Sequence, residues 1–76
     1  MTTLILNAIV KEAQAKEAKA LANLQNYMQN AAGIGEHPDV VAECSKLVKD
    51  IAESREIAQT VHDLVNESNN TNNQNK

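Results

Sequence analysis

The sequence predicts an all-α protein, an antiparallel two-helix hairpin with a coiled-coil-like seam, completed by self-association into a helical bundle. Three observations lead there. Both glycines and the single proline of the 76-residue chain fall within Gly33-Ile34-Gly35-Glu36-His37-Pro38. On either side of that segment the chain runs without a helix breaker. In both flanking stretches the apolar residues recur at alternating steps of four and three, the spacing of a coiled-coil seam.

The first stretch predicts a helix over about 3–32. It is rich in Ala, Leu, Lys, Glu and Gln, which lose little conformational freedom in a helix. Its ladder reads Leu6, Val10, Ala13, Glu17, Ala20, Leu24, Tyr27 and Ala31. Lys11, Glu12, Lys16 and Lys19 fall outside that ladder, a charged and solvated helix face.

The turn is expected at 33–37. Gly33 suits the position just past a helix end because glycine enters the left-handed conformation without a Cβ clash. Pro38 suits the first turn of the next helix, where its missing N–H leaves no bond unmade. That second helix is expected over about 38–67, with Asp39 and Glu43 near the positive end of its dipole.

The second ladder reads Val40, Cys44, Leu47, Ile51, Ser54, Ala58, Val61 and Val65. Folding the chain about the turn sets Ala31 on Val40, Tyr27 on Cys44, Leu24 on Leu47 and Ala20 on Ile51. The same register sets Glu17 on Ser54, Ala13 on Ala58, Val10 on Val61 and Leu6 on Val65. The two residue numbers add to the same total in every layer, so one register serves them all. The layers alternate in size, as interdigitating cores do: Tyr27 faces small Cys44, Ala20 faces Ile51, and the Ala13–Ala58 layer lets the backbones approach closely. One layer is polar. There Glu17 meets Ser54 with Arg55 adjacent, a device that sets register in coiled coils.

Two apolar patches lie beside the seam. Leu21, Met28, Val41 and Val48 share one flank near the turn, and Ile5, Ile9, Ile57 and Leu64 share the opposite flank near the termini. A two-helix hairpin cannot cover either, so both are expected to face other molecules. The hairpin accounts for residues 1–67, and Asn-rich 68–76 has nothing apolar to bury and is expected to be a disordered tail.

Composition narrows the function classes. A chain this short buries little, and its one aromatic, Tyr27, and many alanines make its core thin. A single cysteine excludes an internal disulfide, leaving self-association or a partner as the staple. A net charge of −3 without a clustered basic face argues against nucleic acid. No apolar run approaches a membrane span, and the N-terminus lacks the pattern of a signal peptide. With the lone Cys44, this points to the cytoplasm.

Catalytic and metal-binding constellations are not found in the sequence. His37 and His62 are far apart in the hairpin, so no metal site and no cofactor are expected. Cys44 is read as a structural thiol rather than a nucleophile, since no histidine shares its layer. Gly33-Ile34-Gly35 ahead of a helix could cradle an anion, although it lacks the lysine and preceding strand of a phosphate loop.

The segment Gly33-Ile34-Gly35-Glu36-His37-Pro38-Asp39-Val40, followed by Lys49-Asp50-Ile51-Ala52-Glu53 in the second helix, resembles a group of small proteins of myovirus-type tailed bacteriophages. They resemble this chain in length and in an Ala-rich, charged first helix before the same turn. The resemblance covers the central half of the sequence, and Ser54-Arg55 and the Asn-rich tail depart from it. It implies no catalytic residues. It implies no settled function; in a phage, an interaction protein of this kind is expected to be a virion-associated or host-directed accessory, in the host cytoplasm or the virion.

The function expected is therefore that of a non-enzymatic interaction or assembly protein acting through its apolar flanks. Its expected partner is a second copy, with a dimer favoured, or another protein. The alternative is a small-ligand protein that binds or sequesters a nucleotide between protomers at the Gly-rich turn.

Overall fold

A computed structural model of the chain describes residues 2–30 and 39–73. Two helices account for nearly all of them: α1, Thr2–Gln29, and α2, Val40–Asn73. They pack along one another as a hairpin, with no strand among the described residues. The molecule measures 62 × 23 × 15 Å. The two short dimensions are those of two helices side by side, each about 10–12 Å across with its side chains.

The seam lies where the spacing predicts. Ala13, Ala20, Ile51, Ser54 and Val61 are buried. Leu6, Val10, Glu17, Leu24, Tyr27, Val40, Cys44, Leu47 and Ala58 are half-buried. Val65 departs from this pattern at 39% exposed, because at the open end of the hairpin little of α1 remains beyond Leu6 to cover it. Among the buried residues, Ala13, Ala20 and Ser54 are small, and small side chains let two helix backbones approach closely.

Both inner helix ends differ from expectation. Helix α1 closes at Gln29 rather than near residue 32. The Asn30 backbone N–H still donates to the Asn26 carbonyl at 3.0 Å. Its side-chain Nδ2 donates to the same carbonyl at 3.1 Å and to Asn26 Oδ1 at 2.7 Å. Asparagine competes for backbone groups in this way, which suits it to helix ends.

Helix α2 starts at Val40, with Asp39 as its cap. The Asp39 carbonyl accepts from Glu43 N–H at 3.1 Å, and Asp39 Oδ1 accepts from Ala42 N–H at 3.3 Å. That side-chain bond to the third helical residue satisfies one of the donors a helix start leaves open. The expected turn 33–37 and the start at Pro38 lie outside the described residues.

The tail also differs. Residues 68–73, expected to be disordered, continue α2 to Asn73. No Gly or Pro follows Glu67 to stop the helix. Once a helix is nucleated, each added residue gains a backbone bond, and Asn or Ser weakens the extension by only a fraction of a kcal/mol, on the order of 0.5. Residues 74–76 lie outside the described range.

Candidate interaction surface

At the terminal end, the flank beside the seam forms an open groove of about 440 Å³. Leu6 and Ile9 of α1 line it from one side, and Glu53, Glu56, Ile57, Thr60, Val61 and Leu64 of α2 from the other. Leu6 and Val61 belong to the seam and form its floor. Ile9, Ile57 and Leu64 form its apolar walls and are 38%, 40% and 48% exposed. Glu53 and Glu56 give it an acidic margin.

Three of the four residues expected in the terminal patch therefore come together in one concavity. The fourth, Ile5, is 61% exposed and is not part of its lining. Leu6, Val61, Glu53, Glu56 and Thr60 join the surface without having been assigned to it from sequence. A signal for the last group was present. Glu53, Ile57, Thr60 and Leu64 repeat the steps of four, three and four, a second stripe one residue behind the seam.

The turn-proximal patch is exposed as expected, but its side chains stand higher. Met28 and Val41 are 70% and 80% exposed, and Leu21 and Val48 are exposed beside them in the register. Leu4, assigned to neither patch, is another exposed apolar residue at the terminal end.

The polar layer forms as expected. Arg55 Nε donates to Glu17 Oε2 at 2.7 Å, tying α2 to α1 at the middle of the hairpin. The Glu17 side chain is largely shielded and that of Arg55 is mostly in solvent. An ion pair with one member so exposed contributes modestly, about 0.3–1 kcal/mol. Its larger effect is on register, since a slip of α2 would leave Glu17 half-buried without its guanidinium. Ser54, in the same layer, is almost fully buried and its Oγ has no hydrogen-bond partner.

The outer face of α2 carries bonds one turn apart. Gln59 Nε2 donates to Asp63 Oδ1 at 3.0 Å, and the Asn66 amide lies 3.1 Å from His62 Nε2. Cys44 is half-buried in the seam. Among the described residues no group of three His, Cys, Asp or Glu could hold a metal ion, and no helix is long and apolar enough to cross a membrane. His37 and the Gly-rich anion cradle lie outside the described residues.

The lining runs from Glu53 to Leu64, about three turns of α2, with an apolar floor and walls. Comparison with family models, curated proteins and solved structures returned no match.

Proposed function

We propose that this chain is a non-enzymatic helical interaction protein that works by self-association, a dimer closing two hairpins into a four-helix bundle. The observation that carries the reading is the terminal groove, whose apolar walls and floor are open to solvent in the single chain. Side-by-side packing of hairpins is the ordinary way such a surface is covered. The cytoplasm, of a host cell if the protein belongs to a phage, is the compartment that accompanies this reading. The resemblance of the turn to small tailed-phage proteins supports an accessory role, virion-associated or directed at a host protein.

Sedimentation equilibrium at micromolar concentration tests the reading. The expected result is a dimer that Leu64→Glu dissociates, with about a hundredfold rise in Kd from setting a charge against an apolar partner. Val48→Glu, on the other flank, should leave the Kd within about threefold, as a residue outside the contact does. A helical chain that remains monomeric at ~100 µM, far above the Kd of a stable interface, overturns the proposal.

A further inference from the structure

The inner end of the groove runs on into a stretch of charged residues on both helices. Past Ile9, the same flank of α1 continues through Glu12, Lys16 and Lys19, at helical spacings of three, seven and ten residues. On α2 that flank continues from Ile57 back through Glu53, which lines the inner end of the groove, to half-buried Asp50. The seam register sets the two lysines and the two acids at nearly the same height on neighbouring helices. None of the four forms an ion pair within the chain among the described residues. Just inboard of the apolar walls, Lys16 and Lys19 thus give the α1 side of the flank two positive charges and Asp50 and Glu53 give the α2 side two negative ones, while Glu12 and Lys46 carry the opposite charges further along each helix.

We infer that the groove is occupied by a second copy of this chain, related by a two-fold axis along the hairpin, so that α1 of each copy lies on α2 of the other. A rotation about that axis exchanges left and right but keeps height. It brings Lys16 and Lys19 of each protomer onto Asp50 and Glu53 of its partner, twice per dimer, while Ile9 meets the Ile57–Leu64 wall. A two-fold axis across the hairpin would instead set α1 on α1 and leave both charge pairs unmet. The contact is isologous and closes.

This inference rests on the self-association reading and sharpens it to one face, one symmetry and one charge pairing. The test uses two full-length charge-reversed chains. One carries Lys16→Glu with Lys19→Glu, and the other Asp50→Lys with Glu53→Lys. Each alone sets like charges across the contact twice and should be monomeric at concentrations where the unaltered chain is dimeric. Mixed in equal amounts, they should form a heterodimer, since every reversed pair then meets its complement. Dimerisation of the unaltered chain should also weaken as salt rises.

If each reversed chain stays dimeric alone, the contact lies elsewhere, and this inference fails while self-association stands. If the mixture stays monomeric, the helix pairing is wrong. If the unaltered chain is itself monomeric, the broader reading fails with it. A cross-linking arm covers the case in which the reversed chains do not fold. With Cys44→Ser throughout, chains carrying Lys19→Cys and Glu53→Cys are mixed and mildly oxidised. Mixed disulfide dimers should clearly exceed the one-half share that random pairing of equal populations gives, and a mixed share at or below one half, or an excess of the Lys19→Cys homodimer, overturns the proposal.

Discussion

The middle of the hairpin and its terminal end use apolar chemistry in opposite ways. In the middle the buried residues are mostly small, with Ala13, Ala20 and Ser54 beside Ile51. At the terminal end the residues are large, and although Val61 is buried there, Ile5, Leu64 and Val65 are exposed. Only Ile51 and Val61 among the large apolar side chains are buried, whereas a self-sufficient core buries most of them. Small residues in the middle draw the backbones together and complete their own contact. Large residues at the end overhang the seam and leave a trough. The first arrangement holds the chain together, and the second leaves apolar surface exposed.

The largest effect that would break this contrast is on stability. Ile51→Ala should cost about 2–4 kcal/mol in urea unfolding, as a buried large-to-small change. Leu64→Ala, measured at concentrations low enough to dissociate the proposed dimer, should cost less than about 0.5 kcal/mol, as an exposed change does. Equal losses would erase the distinction between the two regions.

Ser54→Ala should move stability the other way, by about 1 kcal/mol. Its buried Oγ has no partner, and replacing an unsatisfied hydroxyl with a methyl hydrogen-bonding nothing removes a desolvation cost. A destabilised Ser54→Ala chain, followed by the same urea titration, would mean that the hydroxyl is held by something in solution. The smallest effect belongs to the ion pair. A double-mutant cycle on Glu17 and Arg55 should give favourable coupling of about 0.5 kcal/mol, shrinking in high salt, because Arg55 is mostly exposed. Zero coupling would leave register to the apolar layers alone.

The seam was legible in the sequence because it is a periodic feature, and periodicity depends only on spacing. Every described ladder position through Val61 is buried or half-buried, and the Glu17–Arg55 contact followed from placing one polar position in that ladder. Helix ends were less legible, because signals there compete over one or two residues. Asp39 caps α2 where Pro38 was read as its start. Composition marked 68–76 as polar, but a polar stretch without Gly or Pro does not by itself end a helix already formed. The groove was legible only as a patch. Spacing shows which residues share a flank, but the depth of a concavity depends on how far each side chain stands from its floor.

The cap on α2 has a kinetic consequence. Asp39 secures the first turn through its carboxylate, whereas α2 reaches Asn73 through Ser and Asn residues with no basic residue in its last turn. A helix fastened at one end unwinds from the other, so amide hydrogen exchange should slow progressively from Asn73 inward toward the Ser54 layer. The wall of the groove formed by Ile57, Thr60 and Leu64 lies along that gradient. A molecule seated there must hold those turns closed to keep its contacts, so the exchange rates of their amides become a clock for how long the groove stays occupied.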